Sequence, residues 1–112
     1  MRRPITSDEG RRRYELVRSG MEAEVGATAG QMMGMPMLYL HGKGFAGLFG
    51  DAMVFKLGGA DHASALAMAG AALFDPSGVG RPMKAWVEVP MAGAADWPRL
   101  ARLAADGLLK GG

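Results

Sequence analysis

A chain of 112 residues, 49% of them hydrophobic, is long enough for one domain with a small core. It has no cysteine, which excludes disulfides, thiolate zinc sites and thiol catalysis, and its net charge of +2 singles out no class of partner. Eighteen glycines without a repeat period announce many tight turns, and ten methionines suit irregular core packing or an adaptable surface.

Residues 1–112 are expected to form a single domain, with 1–7 and 110–112 flexible. The opening MRRPITSDEGRRR lacks the apolar stretch of a secretory signal. No apolar run approaches the roughly 20 residues of a membrane span. The expectation is a cytoplasmic protein with no membrane partner.

Thr6 and Glu9 form a capping-box pattern, and Tyr14, Val17, Met21 and Val25 recur at helical spacing, which predicts a helix over 8–25. Gly10 and Gly20 should weaken it. Residues 26–30 read as a connector. Three strands follow at about 36–41, 44–49 and 52–57, separated by turn signals at His41-Gly42-Lys43-Gly44 and Gly50-Asp51. Imperfect alternation leaves the face of each residue open. Asp61 is the expected N-cap of a middle helix with Ala65, Leu66, Ala69 and Leu73 on its apolar side. A very short strand at 72–75 leads into a loop, 74–82, rich in Gly and Pro. Met83 to Val89 alternates cleanly and predicts a strand that Pro90 ends. The last helix starts near Asp96, with Leu100, Leu103, Ala104 and Leu108 as its buried stripe. The order is α-β(3)-α-β(2)-α, an α+β fold with an antiparallel sheet and helices on one face.

Chemistry is sparse. Gly42-Lys43-Gly44-Phe45-Ala46-Gly47 matches G-x-G-x-x-G, and Asp61 follows at a suitable distance. That motif works only where its turn opens a helix whose amides hold a pyrophosphate, and here it opens a strand. No phosphate-binding Gly-Lys loop exists, since Met37 stands where its first glycine belongs. His41 and His62 have no third ligand in prospect, so no metal is expected. Ser7, Ser19, Ser64 and Ser77 occupy cap, helix or loop contexts, and none has a nucleophile-elbow pattern. Neither a catalytic residue nor a cofactor is expected. Arg81, Lys84 and Glu88, with Ser77 and the loop amides, form the one candidate anion-binding group.

The motifs in order resemble a known family. Met32-Met33-Gly34 is similar to the Met-Phe-Gly signature that opens the N-terminal domain of TfoX/Sxy competence regulators. Gly42 with Phe45-Ala46, then Met53-Val54-Phe55-Lys56, resemble its second and third strands. Phe74, Gly80-Arg81-Pro82-Met83 and Trp86-Val87-Glu88-Val89-Pro90 resemble its later glycine loop and strand, and Trp97 and Leu100 fit its closing helix. The likeness covers residues 8–109, with Met33 in place of an aromatic and Trp86-Val87 in place of paired tyrosines. It implies the α-β(3)-α-β(2)-α fold of secretion-chaperone-like and YjbR-like proteins, and a stand-alone domain without the family's second, helical one. It transfers no catalytic residue.

The functional expectation is a non-enzymatic regulatory module that binds a protein partner or forms a homodimer. Phe45, Phe55 and Trp86 are the expected contact surface. The alternatives are nucleic-acid association through Arg11, Arg12, Arg13 and Arg18, and a small anion-binding protein or enzyme using Arg81, Lys84 and Glu88.

Overall fold

A computed structural model of the chain describes residues 4–111. The elements are α1 (Asp8–Val25), β1 (Thr28–Met32), β2 (Met35–Leu40), β3 (Lys43–Phe49), β4 (Ala52–Lys56), α2 (Gly59–Leu66), β5 (Ala72–Phe74), β6 (Met83–Pro90) and α3 (Trp97–Gly111). A 3₁₀ turn at Met91–Asp96 leads into α3. All strands join one antiparallel sheet in the order β1-β2-β3-β4-β6-β5. The fold is α+β with the helices on one face, as expected, and it carries one strand more at its start.

That strand is β1, where the sequence reads as a connector. Thr-Ala-Gly-Gln-Met has no apolar alternation, and pairing with β2 alone makes it a strand. Two-residue hairpins then build the meander. Met33-Gly34 and His41-Gly42 both have positive φ at their two central residues, as type I′ turns require, and Gly50 supplies the positive φ of the third hairpin. Phe45 is the extra residue of a β-bulge, because Leu38 pairs with Ala46 while Tyr39 pairs with Gly44. The bulge turns both Phe45 and Ala46 into the helix-side core and explains the broken alternation there.

The main core lies between the sheet and the helices. Tyr14, Val17 and Met21 of α1 meet Leu38, Phe45, Met53 and Phe55 of the sheet and Leu100, Ala101, Ala104 and Ala105 of α3. Leu103 and Leu108 are only partly buried against it. Trp97 is fully buried, and its indole N–H donates to the Val89 carbonyl at 3.2 Å. The small alanines let α3 approach the sheet closely.

The helix caps differ from expectation. Ser7 is the N-cap of α1, its Oγ accepting from the Gly10 N–H at 3.0 Å. Thr6 instead donates to the Gly50 carbonyl at 3.0 Å. The Asp51 carboxylate accepts from both the N–H and the hydroxyl of Ser7, each at 2.8 Å. Residues 6 and 7, expected to be flexible, are therefore fastened to the β3–β4 turn, and Lys110 lies within α3. Residues 1–3 and 112 lie outside the described residues. Gly58 caps α2 without a side-chain bond, and Asp61 sits inside its first turn. Helix α2 ends at Leu66, short of Ala69 and Leu73.

Two glycines and one tyrosine give opposite stability predictions. A Cβ at Gly10 would collide with the Asp51 carboxylate, whereas one at Gly107 meets nothing. Gly10→Ala should cost about 1–3 kcal/mol despite its better helix propensity, and Gly107→Ala should add about 0.5–1 kcal/mol, both read by denaturant unfolding. The buried Tyr14 hydroxyl has no hydrogen-bond partner among the described residues, and burial pushes its pKa up to about 12. Tyr14→Phe should therefore add about 1 kcal/mol at neutral pH. It should also remove one source of alkaline destabilisation. The raised pKa means its contribution is whole below the ordinary value near 10 and is lost as pH rises toward 12.

Candidate interaction surface

A sheet with helices on one face has a second face to account for, and here the strands bury it among themselves. Met35, Met37, Phe49, Val54, Phe74 and Trp86 form a second apolar cluster there, with Met32, Tyr39 and Met83 packed around it. Glycines make room for it. A Cβ at Gly47 would lie 2.8 Å from the Met37 methyl and from the Pro36 carbonyl oxygen. One at Gly44 would lie 3.1 Å from the Met37 side chain, and one at Gly30 3.1 Å from the Tyr39 ring. The β2 side chains thus lie down into depressions left by the neighbouring strands. Phe49 and Phe74 meet edge-to-face with centroids 4.9 Å apart. Two strands separate theirs, a span of about 14 Å, so long aromatic arms and sheet curvature close this face together.

The expected contact surface does not exist as one patch. Phe45 and Phe55 are 0% exposed in the helix-side core, while Trp86 lies in the opposite cluster at 7%. The sheet separates them.

What the sheet leaves open is its β1 edge. The other edge, β5, has three residues and an irregular register. Strand β1 has five, pairs without a break, and carries neither charge nor proline. Its first four residues are exposed. In a two-residue hairpin the pair flanking the turn, Met32 and Met35, exchanges backbone bonds, and bonded pairs then alternate. Thr28, Gly30 and Met32 face β2, so the backbone groups of Ala29 and Gln31 point outward. One of these is already satisfied: the Tyr39 hydroxyl donates to the Gln31 carbonyl at 2.9 Å. The sequence signal for this edge was the Met33-Gly34 pair, which marks a hairpin if read as a turn rather than as part of a family signature.

The cationic candidates are dispersed. Arg12 and Arg13 both bind Glu9, at 2.6 and 2.8 Å, and hold its carboxyl down at about 2. Arg18 spans Glu15 and Glu22. The α1 surface thus carries two ion-paired triads of opposite net charge, each pair worth little in stability. Arg11 forms no ion pair among the described residues and borders a cleft of about 280 Å³ with Met33 and Phe49. A larger cleft of about 430 Å³ opens beside Lys43, Lys56 and Leu108. Arg81, Lys84 and Glu88 line neither cleft. Lys84 and Glu88 lie on one strand about 13 Å apart, so they do not converge. His62 Nε2 bonds the Lys84 carbonyl at 2.8 Å, and His41 occupies its turn at φ 51.

The loop amides do form an anion nest, and the anion is the chain's own Asp75. One carboxylate oxygen accepts from the Ser77 N–H, the Ser77 hydroxyl and the Gly78 N–H. The other accepts from the Gly80 and Arg81 N–H groups at 2.8 and 3.2 Å. These donors hold the Asp75 carboxyl below the ordinary carboxylate range, the Ser77 hydroxyl contributing most. Among the described residues no cluster of three metal-ligating side chains occurs, and no helix is long and apolar enough to cross a membrane.

No family model, no curated protein and no solved structure matches the chain.

The Asp75 nest predicts a pH-dependent loop. A depressed carboxyl pKa contributes order above the unfolded-state value and loses it as pH falls through the folded one. Amide exchange at Ser77–Arg81, corrected for intrinsic rates, should accelerate on acidification below about pH 4. Asp75→Ala should show that fast exchange already at neutral pH.

Proposed function

We propose that the chain is a non-enzymatic, cytoplasmic protein-interaction module that accepts a partner strand at its β1 edge. The role is regulatory, of the kind filled by the TfoX/Sxy N-terminal domains that its motifs resemble. The observation that carries this reading is the unprotected edge. Natural sheets blunt their edges with charge, proline, bulges or brevity. Strand β5 uses brevity and an irregular register, while β1 uses none of these devices. An extended segment laid beside it gains main-chain hydrogen bonds from the outward groups of Ala29 and Gln31. The small side chains of Ala29 and Gly30 leave room for its approach. Two carboxylates of the kind catalysis would need, Asp51 and Asp75, are spent on fastening loops, which also favours a binding role.

Ala29→Pro tests the reading, because it removes an outward N–H without touching the bonds to β2. Immobilised wild-type chain should retain specific proteins from a lysate of its source cells. The variant should lose them while its unfolding free energy changes by less than about 1 kcal/mol. A folded variant that retains the same proteins overturns the proposal.

A further inference from the structure

We infer that the strand received by the β1 edge is β1 of a second copy, paired antiparallel about a two-fold axis at Ala29. This rests on the strand-addition reading and names its partner.

The unused hydrogen-bonding groups of the edge determine the register. Ala27, Ala29 and Gln31 face away from β2. Ala27 already donates its N–H to the Met21 carbonyl at 3.2 Å, closing the end of α1. The Gln31 carbonyl already takes the Tyr39 hydroxyl. The open groups are therefore the Ala29 N–H and carbonyl, the Gln31 N–H and the Ala27 carbonyl. With Ala29 placed opposite Ala29 of the second copy, those two residues exchange both their bonds. Each Gln31 N–H then meets the Ala27 carbonyl across the axis. The two groups this register would leave facing each other, the Ala27 N–H and the Gln31 carbonyl, are the two already satisfied inside each chain. Every open group finds an open group, which is the self-complementarity an isologous interface needs.

The side chains agree. Strand β1 has no charge, so pairing it with itself opposes no like charges. Two sheets joined edge to edge would become one continuous sheet of twelve strands, twice the six present in each chain. The shared surface is small, so the dimer is expected to be weak and concentration-dependent.

The experiment uses light scattering and single-cysteine cross-linking, which the absence of native cysteine makes unambiguous. Wild-type chain should pass from monomer to dimer as its concentration rises toward about 1 mM. Ala29→Lys should remain monomeric, as should Ala29→Glu, and mixing the two should restore the dimer. Opposed Ala29 residues lie about 5.5 Å apart between Cα atoms, within disulfide range, so Ala29→Cys should cross-link on mild oxidation. Gln31→Cys should not, its copies standing roughly 14 Å apart. A wild type that is monomeric throughout overturns the inference, as does cross-linking through position 31 alone. If that monomer still captures lysate proteins in an Ala29-dependent way, strand addition stands and only the second copy is lost.

Discussion

The structure depends on how a sheet with helices on one side disposes of its other side. Among the described residues six strands present two faces, and three helices cover only one. An uncovered apolar face of that size would invite association or aggregation. Here β2 removes the problem. Met35, Met37 and Tyr39 fold down over positions where β1 and β3 carry glycine, and Phe49 and Phe74 close over Val54 from the far side. Glycine in a strand is ordinarily a weakness, costing entropy and giving up side-chain contact. At Gly30, Gly44 and Gly47 it is what lets unbranched thioethers and a phenol ring reach van der Waals contact with the backbone. The methionine content follows from the same need, because a flexible side chain can fill an irregular gap that a branched one cannot. Closing the face leaves the edge as the place where the sheet still offers unsatisfied groups.

Much of the fold was legible because it is written in short-range signals. Helix α1 and five of the six strands follow from periodicity and turn chemistry. What escaped has physical causes. Strand β1 is made of residues with weak strand preference and gains its form from β2 alone. Phe45 and Ala46 defeat alternation because Phe45 is the extra residue of a bulge, which turns two successive residues to one face. The α1 cap escapes a local reading because Thr6 answers to the Gly50 carbonyl and Ser7 to the Asp51 carboxylate, each 44 residues away. The candidate site was less legible still. Phe45, Phe55 and Trp86 look alike in sequence as large apolar residues on strands, but the pleat sends them to opposite sides of the sheet.

Two carboxylates show how little polar chemistry is left over. Asp51 ties the start of α1 to the β3–β4 turn, and the bare Gly10 backbone is what allows helix and carboxylate to approach. Asp75 fills the nest that Ser77, Gly78, Gly80 and Arg81 build around it. In sequence that loop reads as part of a candidate anion site, and its amides and the Ser77 hydroxyl do bind an anion, one the chain supplies itself. A loop rich in glycine must satisfy its backbone donors somehow, and an internal carboxylate does so without a ligand. Arg12, Arg13 and Arg18 of α1 are spent in the same way, on acids one turn along their own helix. They mask a face that would otherwise read as basic.

An edge strand is a liability that evolution has cheap means to suppress: one lysine or proline in β1 would do it. Sequence positions on an exposed strand are under little packing constraint, so nothing in the core forbids such a residue at Ala29 or Gln31. Its absence is therefore informative in a way that the absence of charge in a buried strand is not. The state of the backbone groups adds to this. The two groups along the edge that already have partners, the Ala27 N–H and the Gln31 carbonyl, are satisfied by a helix-end bond and by a tyrosine reaching across from β2. Those bonds would be needed to protect an edge left permanently in water only if all its groups were treated alike. Instead two are capped, and the rest form a set that complements itself about one residue. The first of these bonds is the ordinary closure of a helix end, so the division narrows the register of any strand that adds here without itself requiring one.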